Sequence, residues 1–322
     1  MRRKKGVVDQ ERYDVLKAML EERRAEIKEK LRSLRETLPA EATDVKDAEE
    51  QSVDDFVQEV DFALMQMKSE TLSKIDEAIA RLEDGSYEFE GRQHQLALDE
   101  IANRNAIHGL VRWAAWTVGE REPSRVVLEH LLHPQPGYSF SLALSIEYSL
   151  KEGGLRVRTT ATNVGADPCP YGSGAHPYLT VGTATIDDVN LLVPARTVLQ
   201  SDKRGLPVGR ASVEGTEYDF RRPRTIGATR LDHAFTDLER DKDGLARVEL
   251  NDPERGTGLA LWVDEAYPYL MLFTGDPLPD VDRRSLAVEP MTCPPNAFRS
   301  GEDLIRLEPG ATVASAWGIS PR

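Results

Sequence analysis

The sequence predicts a mainly β chain with a helical front: an antiparallel sandwich or barrel over most of its length, preceded by an α-helical hairpin. Three observations carry that prediction. Charge density breaks near Gly85, with 38 of the first 85 residues charged against 58 of the remaining 237. Glycine and proline run the other way: the first segment holds only Gly6, Gly85 and Pro39, and all other turn-forming residues of these two kinds lie beyond. The hydrophobic period changes at the same place, from spacings of three and four to strict alternation.

In the front segment Leu20, Ile27, Leu31, Leu34 and Leu38 follow helical spacing until Pro39 stops the run. Val53, Val57, Val60, Leu64, Met67, Thr71, Ile75, Ala78 and Leu82 form a second run of fours and threes. Two amphipathic helices around an acidic connection make an antiparallel coiled-coil hairpin. Its tip, Glu41 to Asp61, carries nine acids and one base, Lys46; a solvated face is the simplest reading of such a run.

Strand grammar follows. Phe140, Leu142, Leu144, Ile146, Tyr148 and Leu150 alternate with small or polar residues. Lys151-Glu152-Gly153-Gly154 then turns the chain into Leu155, Val157 and Thr159, a half-buried antiparallel hairpin. Leu245–Leu250 and Leu259–Val263 flank a turn through Asn251-Asp252-Pro253, and Tyr269–Thr274 follows. No helical period of useful length occurs after residue 85. Short strands separated by Gly/Pro turns give a sandwich or barrel.

The 322 residues suggest two domains, with the boundary expected at 1–83 and 84–322. The formal charge is −14, which repels phosphate and argues against direct nucleic-acid binding. Two cysteines, Cys169 and Cys293, cannot build a four-cysteine zinc site or a disulfide framework. The start reads Arg2-Arg3-Lys4-Lys5 without an apolar core, unlike a secretory leader, and no apolar run approaches the ~18 residues of a membrane span. A cytoplasmic protein with no membrane partner is expected.

Phosphate-binding glycine loops, a GxSxG elbow and an HExxH motif are all missing from the chain. His94, His130 and His133 sit in polar or turn settings without an obvious partner. His176 lies in Gly174-Ala175-His176-Pro177-Tyr178, on a constrained loop; a functional group and a satisfied core histidine are both open readings. Glu289 ends the apolar run Ser285-Leu286-Ala287-Val288, so its carboxylate must be paired in a salt bridge or used chemically. An imidazole acid and a carboxylate base on a polar concave face suit proton transfer on a neutral substrate. Trp113, Tyr178 and Phe235 are candidate faces for a sugar ring, or plain core.

Five motifs then stand in a recognisable order: Asn105-Ala106-Ile107-His108-Gly109-Leu110-Val111-Arg112-Trp113; Asn163-Val164-Gly165 with Pro170-Tyr171-Gly172; Gly174-Ala175-His176-Pro177-Tyr178; Leu231-Asp232-His233; and Ala287-Val288-Glu289-Pro290-Met291-Thr292. From about Asp84 to the C-terminus the chain resembles the aldose 1-epimerases (galactose mutarotases). The resemblance implies a galactose mutarotase-like antiparallel β-sandwich, joined here after the family's opening strands. It also implies interconversion of the anomers of a free aldose such as glucose or galactose, with a monosaccharide as partner and neither cofactor nor metal. Glu289 resembles the family's base, taking the anomeric hydroxyl proton, and His176 its acid, protonating the ring oxygen. His108 and Asp232 resemble residues that hold sugar hydroxyls, and Arg81 falls in the register of a substrate-binding arginine. At a reference pKa near 6.5 only about a quarter of a free histidine is protonated at pH 7, so Asp232 and Glu289 are expected to raise that fraction at His176.

The front segment resembles something else. Met67-Lys68-Ser69-Glu70-Thr71-Leu72, Ile75-Asp76-Glu77-Ala78 and Arg81-Leu82-Glu83-Asp84-Gly85-Ser86-Tyr87 are similar to the coiled coil of DksA/TraR-type regulators, without their zinc finger. That implies a contact with RNA polymerase through the hairpin. A non-catalytic sugar-binding sandwich and a transcription-related protein are therefore the alternatives to the enzyme.

Overall fold

The structure, a computed structural model, describes residues 5–37, 64–75, 85–276, 278 and 281–322. The chain divides into two compact units, 1–86 and 87–322.

The first unit is a helical hairpin: Lys5–Thr37 is one helix, and residues 64–75 form the described part of the other. Ile27 and Ile75 are buried together, with Leu20, Leu31 and Leu72 packed against them. On the first helix this is the expected stripe. On the second, Ile75 is buried as expected, but the expected positions before it are off by one residue. Met67 is 65% exposed and Leu64 37%, and Thr71 turns its hydroxyl back to donate to the Met67 carbonyl at 2.8 Å. The half-buried positions are Met65, Lys68 and Leu72, leading to buried Ile75. Both sets share the three-and-four spacing, and Leu72 has more apolar surface to hide than Thr71. The acidic tip, and Val53, Val57, Val60, Ala78 and Leu82, lie outside the described residues, as does Arg81.

The second unit is built around two large antiparallel sheets, with two small two-stranded ones beside them. In the larger the strands run in the order Arg224–Thr225, Asn190–Leu192, Ala246–Asn251, Gly258–Val263, Thr312–Pro321, Gly154–Asn163, Leu142–Lys151, Arg125–Leu132 and Thr117–Glu122. In the smaller the order is Pro207–Ser212, Ala195–Ser201, Asp232–Leu238, Tyr269–Phe273, Leu286–Met291 and Tyr178–Leu179. The predicted hairpin pairs Leu142 with Asn163 through to Lys151 with Gly154. Leu191, Leu250 and Leu261 from the first sheet meet Phe235, Leu272 and Val288 from the second in one fully buried core. This is a sandwich rather than a barrel: each sheet hides one face on the other. Among the described residues after 85, helix is confined to Ala297–Ser300.

Asn163 ends the strand Gly154–Asn163. Fully buried, it donates from Nδ2 to the carbonyls of Asp167 and Leu307, both at 2.9 Å, and accepts the Gly165 N–H on Oδ1. Its motif is thus a satisfied buried polar group that holds a turn.

Candidate active site

Glu289 sits in Leu286–Met291, opposite Met271 of the neighbouring strand. Along its other side runs the loop 173–177, which behaves as an irregular strand. Thr292 N–H donates to the Ser173 carbonyl at 2.9 Å, Ala175 N–H to that of Pro290 at 3.1 Å, and Val288 N–H to that of Pro177 at 3.1 Å. Those last two bonds bracket His176 and Glu289, placing the two residues side by side. Prolines follow both residues. Having no N–H, each meets the ladder only through its carbonyl.

The side chains meet: His176 Nε2 lies 3.1 Å from Glu289 Oε1, with the imidazole 33% and the carboxyl 14% exposed. Burial, aided by the nearby Asp232 carboxylate, pushes Glu289 up to about 8. Burial first, then repulsion from His108, lowers His176 below the ordinary histidine value, against a backbone hydrogen bond that favours its charge. The expected rise in His176 protonation is thus corrected: desolvation of the imidazole and repulsion from His108 set the direction. The two opposite shifts favour the neutral pair, a protonated carboxyl beside an uncharged imidazole.

Two other residues singled out from the sequence converge here. The His108 ring centre is 5.5 Å from that of His176. Asp232 begins the strand Asp232–Leu238 and is close enough to Glu289 to raise it. Although Asp232 presents accessible surface, the protein around it raises its own carboxyl, with His233 opposing and Glu100 adding. Of the aromatics, Tyr178 stacks on His176 at 4.9 Å and 28° and remains half open. Trp113 is 87% exposed, whereas Phe235 is wholly buried and belongs to the core. Alternation alone does not say which face of a strand looks inward.

Sequence reasoning gave no individual role to the residues that hold the His108 segment. Asn105 donates to Glu100 and to the Arg204 carbonyl, both at 2.8 Å. Arg204 in turn clasps the carbonyls of Asn103 and Arg104 at 2.8 Å. Arg112 reaches His108 Nδ1 at 2.7 Å. A cavity of about 450 Å³ opens beside this segment, lined by Asp99, Arg112, Trp113, His130 and His133 among others. Neither His176 nor Glu289 lines it. Among the described residues no group of three or more His, Cys, Asp or Glu side chains is arranged to hold a metal ion, and no helix is long and apolar enough to cross a membrane.

The model of the family described as "Aldose 1-epimerase" matches residues 75–320. This chain belongs to the aldose 1-epimerase family. YihR, an uncharacterized protein of Escherichia coli K12, is 35% identical over 231 residues, which is 71% of this chain and 72% of YihR. Among solved structures, the galactose 1-epimerase of Lactobacillus acidophilus NCFM superposes with a TM-score of 0.62 at 24% identity, over 74% of this chain and 76% of the other. The GalM/aldose epimerase homologue of C. elegans gives 0.66 at 17% identity, over 74% and 78%. The aldose 1-epimerase sandwich of this chain thus has the galactose mutarotase-like fold. Nothing in these matches supports a contact between the hairpin and RNA polymerase.

Proposed function

We propose that the protein is a mutarotase, interconverting the α and β anomers of a free aldose such as glucose or galactose with Glu289 and His176 as its acid–base pair. The observation that carries this reading is their 3.1 Å contact in a setting that leaves one proton between them. To open the ring, the Glu289 carboxylate takes the proton of the anomeric hydroxyl while the His176 imidazolium gives one to the ring oxygen, and the C1–O5 bond breaks. The product is an open-chain aldehyde facing a protonated carboxyl and a neutral imidazole, the form that the opposite shifts of the two groups favour. After rotation about C1–C2 the steps reverse, with the carbonyl attacked from its other face. Concerted transfer avoids a full charge on either oxygen. Each turnover visits both tautomers of the pair.

His108 and Asp232 are the sugar-hydroxyl contacts in this reading. Arg81 is a further substrate contact, on the strength of its motif alone. Polarimetry on freshly dissolved α-D-glucose and α-D-galactose tests the reading: optical rotation should relax faster than in buffer. A rate equal to buffer with both sugars, from a folded chain, would falsify it and leave a sugar-binding sandwich without turnover.

A further inference from the structure

His108 sits in a backbone conformation that few side chains adopt. Its φ is +61°, followed by +70° at Gly109, and a non-glycine residue in the left-handed region persists only where its surroundings over-determine it. Asp99 supplies that constraint with both carboxylate oxygens. Oδ1 accepts the N–H of Ile107 at 2.7 Å, and Oδ2 accepts Arg112 Nη2 at 3.1 Å. The other arm of the same guanidinium, Nη1, ends 2.7 Å from His108 Nδ1. One carboxylate therefore fixes the residue before His108 and the side chain four residues after it.

The hydrogen-bond chemistry of the bridge decides more than position. A guanidinium donates from all its nitrogens and accepts at none. Nδ1 of His108 must therefore be the acceptor, and the ring proton resides on Nε2. We propose that Asp99 and Arg112 are positioning residues that hold His108 in its Nε2–H tautomer, so that it meets a sugar hydroxyl as a donor. This rests on the reading of His108 as a sugar contact. Neither Asp99 nor Arg112 touches the reacting atoms in this arrangement. Their work is to choose which way round the hydrogen bond to the hydroxyl runs. Without Arg112 the ring could carry its proton on either nitrogen, and the bound hydroxyl would meet a mixture of donor and acceptor.

The test reads the tautomer directly. Long-range ¹H–¹⁵N spectra of the imidazoles, recorded on the full ¹⁵N-labelled chain and assigned with His108→Asn, should show His108 as the Nε2–H form. Arg112→Ala should move the His108 signals toward a tautomer mixture. Arg112→Gln, whose amide can still donate to Nδ1, should hold them near the wild-type position. In mutarotation assays Arg112→Ala should raise KM about 3- to 10-fold, the worth of one hydrogen bond, and lower kcat by less, with partial recovery in Arg112→Gln. Should Arg112→Ala fail to fold by thermal melting, Asp99→Asn, which weakens the bridge without emptying it, gives the same spectroscopic reading. An Nδ1–H tautomer in the wild type, or His108 signals unmoved by both Arg112→Ala and Asp99→Asn, overturns the proposal. A wild type that keeps the pinned tautomer but neither mutarotates nor binds glucose or galactose supports the tautomer assignment and overturns the sugar role, so the two failures are distinguishable.

Discussion

His176 and His108 approach each other to 5.5 Å from segments held in opposite ways. His176 is placed by main chain: amides on either side of it lock its loop onto the strand of Glu289. His108 is placed by side chains, through the Asp99–Arg112 bridge and the Arg204 clasp. Main-chain placement survives changes to any one neighbouring side chain, because the bonds belong to every residue type except proline as donor. Side-chain placement depends on two or three particular residues. The group assigned to chemistry is held in the first manner and the group assigned to binding in the second.

The sharpest test of that contrast is to remove the chemistry itself. Glu289→Gln and His176→Asn should each lower kcat by about 10²–10⁴-fold. The double variant should be little worse than the poorer single, since the pair acts as a unit. Additive losses measured by polarimetry would mean that the two groups serve separate steps.

A comparable effect should appear in stability. Glu289 is raised from 4.5 to about 8 by burial and Asp232, so the folded state binds its proton more tightly than the unfolded chain. The resulting stabilisation is fully present below pH 4.5 and is lost as pH climbs toward 8. At ~1.4 kcal/mol per pKa unit, Glu289→Gln should gain on the order of 4 kcal/mol relative to wild type between pH 5 and pH 9. Urea melts at the two pH values measure it, and an unchanged difference would show that Glu289 titrates normally. Activity follows the same carboxyl: kcat/KM should fall above about pH 8, where the pair has lost its one proton, and also in acid, once His176 charges while Glu289 stays protonated.

The backbone mount can be strained without touching His176 or Glu289. A Cβ on Gly172 would meet Cys293 Sγ at 2.6 Å, too close to keep. Gly172→Ala should therefore cost about 1–3 kcal/mol by overpacking and lower kcat by pushing the His176 loop off its strand. Adding Cys293→Ala should restore both. Failure of that rescue, in melts and rates together, would locate the damage elsewhere.

The smallest effects belong to the side-chain-held partner. His108→Ala and Asp232→Ala should raise KM at least as much as they lower kcat, because the hydroxyls they are proposed to contact are present in ground and transition states alike. If His108→Ala leaves KM untouched and abolishes kcat, the division between binding and chemistry is misplaced.

The same contrast explains what the sequence made legible. Alternation from Phe140 to Thr159 marks a hairpin because a period of two survives in the folded strand, and the pairing of Leu142–Lys151 with Gly154–Asn163 follows it. Glu289 was visible because a carboxylate ending an apolar run has to be accounted for. Asp99 was not: it precedes His108 by nine residues, and no helical or strand period links the two. Arg112 stood within a quoted motif, yet nothing in the spacing says that its guanidinium folds back four residues onto the imidazole. In the helical hairpin the spacing allowed two stripes one residue apart, and only the partner helix, through Ile27, distinguishes Leu72 from Thr71.

The two amides that bracket the acid–base pair give the site a signal of its own. Ala175 N–H and Val288 N–H are bonded across the gap between loop and strand, so their exchange with deuterated water is gated by separation of His176 from Glu289. Their protection factors report the fraction of time the pair is assembled, in a chain that has never met a sugar. Should the two exchange at one common rate, slower than the Arg112 side of the site, loop and strand part as a single hinge. That rate then sets how often a molecule in solution is out of service.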